Sequence, residues 1–450
     1  MILRHAITPV FLGLCLLLGG ASAAGITANL LLQLTALPLI GWALWTLRHD
    51  PPSGPVRGLL LLLLGLIALC LVQLIPLPPS VWTLLPGREP VARGFALLGL
   101  PLPWLPLSLA PAQSLASMIW LLPAIATLLA IVGLGAFRGR WLAWTVVGIT
   151  TLAVGFGALQ LVGGGTYLYA ITNRGAAVGF FANANHHATL LLASIPFVAG
   201  LQAYAVRRAR SRRDASAVSV LTSAAFVVIA VGLLTNLSLA GIGLCLPVAL
   251  ASFMFIRKRE VAVRPWVLGV GAAVSIAAVA VIVWGPFGNN LIGEQRENAD
   301  LSRQTSFART LSASAEYLPF GSGVGSFVPI YRTQEPPDSV TRTFMNHAHS
   351  DWLELLLETG VPGLLLVALF LWWWGRRVVD IWRADEVDYI GRAAAIASAT
   401  MMVHSVVDYP LRTAALSVLF AACLGLMAGV RPFTPRARQP QNARHRSLEL

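Results

Sequence analysis

Time after time along this chain, some twenty residues pass with scarcely a charge, as in "LLLLLLGLIALCLV" at 59–72 and "AALSVLFAACLGLMAGV" at 414–430. About 20 apolar residues cross a bilayer as a helix. A backbone in hydrocarbon must satisfy its own hydrogen bonds, which leaves helices or closed barrels. Barrel strands alternate apolar and polar residues, and these runs do not. The sequence therefore predicts an all-α polytopic membrane protein, a single membrane domain over 1–450. Its 11% charged residues, against about 25% in soluble domains, agree.

We read about twelve transmembrane helices, near 7–24, 26–47, 58–75, 114–136, 140–163, 187–206, 217–235, 238–256, 265–286, 351–374, 391–409 and 412–430. The first run resembles a signal peptide, but no clear cleavage site separates it from the second, so it is expected to stay as a helix. The net charge of +13 is nearly all arginine, Lys258 being the only lysine. With both termini in the cytoplasm, 23 of the 32 basic residues fall inside and 9 outside. The inner clusters are "RRARSRR" (207–213), "RKREVAVR" (257–264), Arg376–Arg377 and the basic tail 431–450. That asymmetry is the positive-inside pattern, so the charge sets topology and does not point to nucleic acid. Cys15, Cys70, Cys245 and Cys423 lie inside apolar runs, as small core residues do.

Three outer segments exceed a turn: 76–113, 164–186 and the large loop 287–350. The first is rich in proline and leucine and suits the membrane surface, with Trp82 and Trp104 at the interface. In the third, Phe307, Leu311 and Leu318 suggest a short amphipathic helix stopped by Pro319. "GSGVGSF" (321–327) lacks the strand and helix of a nucleotide-binding fingerprint and is expected to be a backbone turn. With no soluble catalytic domain, chemistry must come from these loops and the outer helix ends.

Three constellations offer it. "FMNHAHSDWLELLLETG" (344–360) puts His347 and His349 before a helix whose Asp351, Glu354 and Glu358 share one face. Asp351 and Glu354 have the spacing of an N-cap and its N3 partner. A helix continued through His349 would turn it away from that face, so either a carboxylate orienting it comes from elsewhere or the chain is irregular there. On a helix the two histidines diverge and no third ligand stands at a usual spacing, so no metal and no cofactor are expected. "TNRGAAVGFFANANHHATLL" (172–191) supplies Arg174, Asn185 and two histidines. Asparagine also caps helices, and that alternative stays open. Arg309, with Arg303 nearby, offers a fork suited to phosphate oxygens. An outer-leaflet lipid-linked sugar diphosphate fits these parts: arginines on the pyrophosphate, and a neutral histidine taking the proton of an attacking hydroxyl.

These motifs resemble the O-antigen ligase and polysaccharide polymerase superfamily. "AHSDWLELLLETGVPG" is similar to its histidine signature, Arg174 with "GFFANANHHA" to its R-x-x-G-x-F-x-N-x-N pattern, "FART…LPFGSGVGSF" to its arginine and glycine segment, and "VHSVVDYPLR" (403–412) to a late-helix pattern. The resemblance spans 160–430. It implies a metal-independent, inverting glycosyltransferase of the membrane-embedded C type in the bacterial inner membrane, its active site facing the periplasm. The donor would be a glycan on undecaprenyl diphosphate; the acceptor, lipid A core, another lipid-linked repeat or a protein hydroxyl. His349 corresponds to the base, and Arg174 and Arg309 to diphosphate ligands. His347, Glu358 and Asp408 are supporting candidates. Arg174 stands five residues before Gly179, further than the pattern has it. Leu239 stands where many members carry arginine. A lipid-linked glycan flippase is the rival, and it would place polar residues deep in its spans.

Overall fold

The computed structural model describes residues 2–23, 25–49, 52, 54–135, 140–163, 165–208, 211–254, 303–337 and 345–429. The expected ninth span, the "RKREVAVR" cluster, the basic tail and much of loop 287–350 lie outside them. The described residues are mostly helical. The N-terminal part of the chain gives α1 (Ile2–Leu18), α2 (Thr27–His49), α3 (Pro55–Val72), α4 (Pro79–Trp82) and α5 (Glu89–Leu97). There follow α6 (Pro111–Trp120), α7 (Leu122–Leu134), α8 (Trp141–Gly163), α9 (Ala184–Arg208), α10 (Arg212–Asn236) and α11 (Leu239–Phe253). The C-terminal half adds α12 (Arg303–Tyr317), α13 (Phe327–Thr333), α14 (Asp351–Arg383), α15 (Tyr389–His404) and α16 (Ala414–Gly429). A two-residue hairpin, β1 (Pro76–Leu77) with β2 (Leu105–Pro106), closes the first outer loop.

Among the described residues, seven helical segments are long and apolar enough to cross a membrane, with α6 and α7 forming one of them. Helices α1, α11 and α16 are apolar but shorter. Burial sorts them. Helix α9 is mostly buried and packs on α8, α10, α11 and α15. Helix α3 keeps Leu61, Leu64 and Leu71 exposed, as a face toward lipid does. Alanine and glycine let the inner helices approach: a side chain at Gly200 would meet the Tyr389 carbonyl at 2.9 Å, and one at Gly425 would meet Ile131 at 2.9 Å.

The two ends of the bundle differ. At one, Arg4 donates to the Gly133 carbonyl, Trp373 Nε1 to that of Pro55 and Arg377 to that of Met427, while Arg140 lies over Tyr204 and Arg207 over Tyr389. At the other, Gly20 bridges Phe181, Ala415 N–H donates to the Gly19 carbonyl, and Asp351 N–H reaches the carbonyls of Ser405 and Asp408. Segments separated by an even number of expected crossings thus meet at the same end.

The 33-residue α14 is the longest of the described helices and is broken at Gly360 (φ 57°, ψ −146°), two residues before Pro362. The glycine segment 321–325 is a turn that clasps this break. Ser322 N–H donates to the Leu357 carbonyl, Gly323 N–H to that of Glu358, and Val361 N–H to that of Pro319. Gln73, buried at the end of α3, spans the seam: its Nε2 donates to the Glu358 carbonyl (2.9 Å) and its Oε1 accepts from Val324 N–H (2.9 Å). Replacing Gln73 by leucine strips Val324 N–H of its acceptor, at about 1–3 kcal/mol, and leaves the Glu358 carbonyl with Gly323 N–H alone. The expected result is a clear fall in the melting temperature of the purified protein.

Two expectations about the outer loops change. Trp82 is not at an interface but buried, its Nε1 donating to the Pro103 carbonyl, whereas Trp104 is exposed. Helix α12 does form and ends before Pro319, but Leu311 faces outward. Its packed face is Ser306, Thr310, Ala313, Ser314 and Tyr317. The Thr310 and Ser314 hydroxyls donate to carbonyls one turn back, so this small face buries no unpaired hydroxyl and sits close on α14.

Candidate functional site

The site is built around the start of α14. Ser350, not Asp351, is the N-cap: its hydroxyl accepts from Leu353 N–H. That frees the Asp351 carboxylate to accept from the Ser405 hydroxyl (2.8 Å) and Leu411 N–H (3.2 Å). The i, i+3, i+7 spacing then aims Asp351, Glu354 and Glu358 at one point, and Arg412 fills it. Its guanidinium lies 3.5 Å from Asp351, 3.3 Å from Glu354 and 3.1 Å from Glu358. Glu354 and Glu358 are 1% and 2% exposed, so water does little to screen them. Their other partners are protein groups. Glu354 takes Ala348 N–H (3.1 Å) and pairs with His347 Nδ1 (3.0 Å), and Glu358 takes Gly325 N–H (2.8 Å). Buried carboxylates require such a complete set of partners.

The histidine segment 345–350 is irregular, and His349 has a left-handed φ of 54°. For a residue with a side chain that conformation is uncommon, and such residues cluster at functional sites. The strain turns His349 away from the α14 carboxylates toward Asp408, on the segment after α15. Its Nδ1 lies 3.7 Å from Asp408 Oδ1, within ion-pair range but too long for a hydrogen bond. Asp408 is buried, and His349 keeps a fifth of its side chain exposed. Tyr409 is the hub of the aromatic contacts. His347 tilts against its ring (4.4 Å), and His349 (5.1 Å) and His186 (4.9 Å) meet it edge-on.

Asparagines hold the second constellation. Asn183 precedes α9 and accepts from Asn185 N–H, while Asn185 Oδ1 accepts from the Ser238 hydroxyl (2.7 Å). His187 shares a 2.8 Å contact with the Ala177 carbonyl, and His404 pairs with Thr189. Gln160 fixes the turn before them by accepting from Val178 and Gly179 N–H. Arg174 is exposed on this loop. Arg309 is half-buried on α12 beside Tyr331, whose phenol is raised by burial and lowered again by the guanidinium. Arg303 starts α12. Leu239 is half-buried at the start of α11. The structure thus brings His347, His349, Glu358 and Asp408 into one cluster, with Asn185 one helix away; Arg174 and Arg309 have no direct contact with it among the described interactions. Helix α12 reaches it through Ser306, whose hydroxyl donates to the Ala348 carbonyl (3.2 Å).

Sequence reasoning missed Arg412, Tyr409 and Ser405. The signal for the first two was present, since "VHSVVDYPLR" carries both. Pattern alone did not reveal that its arginine answers three acids some sixty residues earlier. Beside the cluster a cavity of about 370 Å³ runs down the bundle, lined mostly by apolar side chains such as Leu59, Leu66, Leu128, Leu366 and Phe420. Asp351, Ser405 and Arg412 also line it. Among the described residues, no group of three or more histidine, cysteine or acidic side chains is arranged to hold a metal ion.

No curated protein matches the chain. Residues 224–368 match the family described as O-antigen ligase, a stretch that includes α12, the glycine turn, both histidines and the three α14 acids, and stops before Asp408 and Arg412. That match covers less than half of the chain and supports the resemblance to the O-antigen ligase and polysaccharide polymerase superfamily.

Proposed function

We propose that the protein transfers a glycan from undecaprenyl diphosphate to an acceptor hydroxyl of lipid A core or a growing polysaccharide, at the periplasmic face of the bacterial inner membrane. The observation that carries this reading is His349, held in a strained backbone, partly exposed, with the buried Asp408 carboxylate behind its Nδ1. A carboxylate there favours the tautomer with a proton on Nδ1 and stabilises the imidazolium that forms. The acceptor oxygen attacks the anomeric carbon, His349 takes its proton, and the bond from that carbon to the diphosphate oxygen breaks with inversion. The leaving diphosphate gains charge, and Arg174 and Arg309 are the residues we assign to meet it. The lipid anchor of the donor explains why a base waits at a membrane surface, and the apolar cavity beside the cluster suits a chain of that kind. Neither nucleotide nor metal takes part.

The buried charges gather at the bundle ends, which favours an enzyme over a flippase. The test uses proteoliposomes loaded with undecaprenyl-diphosphate-linked glycan, in EDTA and without nucleotide, with lipid A core or a second lipid-linked repeat as acceptor. Labelled product is expected, and the acceptor that carries the label decides between ligase and polymerase. Movement of donor between leaflets with no product would refute transfer and support the flippase.

A further inference from the structure

We infer that Arg412 is a positioning residue: it ties the histidine segment, the kinked start of α14 and the segment 405–412 into one rigid unit and so sets the place of His349. The inference rests on His349 being the base. It concerns a residue that lies outside the matched family region and touches neither histidine in the described contacts.

Three chain segments converge through this one guanidinium. Glu354, held at 3.3 Å, also grips the histidine segment through His347 Nδ1 and Ala348 N–H. Glu358, held at 3.1 Å, also grips the glycine turn through Gly325 N–H. Asp351, held at 3.5 Å, also grips Ser405 and Leu411. Arg412 itself continues the segment that carries Asp408 and Tyr409, the two side chains against His349. Without the cation, three carboxylates on one helix face would repel one another with no counter-charge. Glu354 would then have reason to leave Ala348, and Asp408 to leave His349.

The arrangement also argues against Arg412 as a donor ligand. The one guanidinium is already engaged by three acids, which leaves it little to offer a diphosphate. Only a planar fork satisfies three carboxylates arrayed around it, so lysine should be a partial substitute.

The experiment compares wild type, Arg412→Ala and Arg412→Lys in detergent. Size exclusion and melting temperature establish that each is folded, and Arg412→Lys carries the comparison if the alanine variant does not accumulate. Two readouts follow. The first is glycan transfer with donor concentration varied. A shift of the base by about 1 Å costs about a hundredfold, so kcat should fall by that order in Arg412→Ala with donor KM nearly unchanged. Arg412→Lys should recover part of the rate. The second readout needs no activity: the rate at which diethyl pyrocarbonate modifies each histidine, resolved by mass spectrometry. His347 and His349 should react several-fold faster in the variants, with exposed His49 as the unchanged control. Folded variants with unaltered kcat and unaltered histidine reactivity would overturn the inference, as would a raised donor KM at constant kcat. If wild type makes no product yet the histidines loosen, the proposed transfer fails while the positioning role stands.

Discussion

Replacing His349 by alanine is expected to cut glycan transfer by about 10²–10⁴-fold, the usual contribution of a positioned general base, while the protein stays folded and still binds donor. The prediction follows from where the side chain sits. His349 contributes little to packing, because a fifth of it is exposed and its described contacts are Asp408 at 3.7 Å and the edge of Tyr409. Truncation therefore removes a proton acceptor without opening a core cavity. Melting temperature checks the fold, and titration with labelled donor checks binding. An unfolded variant would show that the ring is structural after all.

The second large effect is expected at Gly360. Alanine there should destabilise the protein severely, with little folded material recovered from the membrane. The residue adopts φ 57° and ψ −146°, a region nearly closed to residues with a Cβ. Forcing one into it costs about 1–3 kcal/mol before any collision. The collision is with backbone: the new methyl would sit 2.7 Å from Gly321 N and against the Pro319 carbonyl. Neither can give way cheaply, because that carbonyl accepts Val361 N–H and the turn beyond it holds Glu358. Alanine at Gly94, where a side chain would meet nothing within 4 Å, is the matched control and should behave as wild type. The fraction of monodisperse protein on size exclusion reads both.

How much of this was legible in the sequence depends on the range of the interaction. Helices announce themselves locally, because lipid leaves the backbone no other solution, and each expected span in the described segments overlaps a helix, although α1 ends at Leu18 where 24 was expected and α14 runs on to Arg383 where 374 was expected. The shared face of Asp351, Glu354 and Glu358 was equally local, a matter of 3.6 residues per turn. So was the need for an outside carboxylate near His349, once its place relative to that face was drawn. What filled those needs was not local. Arg412 and Asp408 lie some fifty to sixty residues further on, past two helices, and only their packing identifies them as partners. The glycine turn shows a subtler limit. "GSGVG" was readable as a turn, but its purpose is to bring three backbone donors onto the break of another helix. Capping was misassigned for a simpler reason. Ser350 and Asp351 both cap well, and the choice between them was decided by Ser405 and Leu411, which claim the aspartate.

Two neighbouring histidines make the central claim sharply testable. His347 is committed to Glu354, and His349 faces Asp408 with part of its ring open. The decisive measurement is single-turnover transfer from labelled undecaprenyl-diphosphate glycan, in EDTA, by wild type, His347→Ala and His349→Ala at equal folded concentration. With His349 as the base, product is expected from wild type, a reduced but measurable rate from His347→Ala, and a rate about 10²–10⁴-fold below wild type from His349→Ala. Transfer by His349→Ala at the wild-type rate, with His347→Ala inactive, would contradict that role.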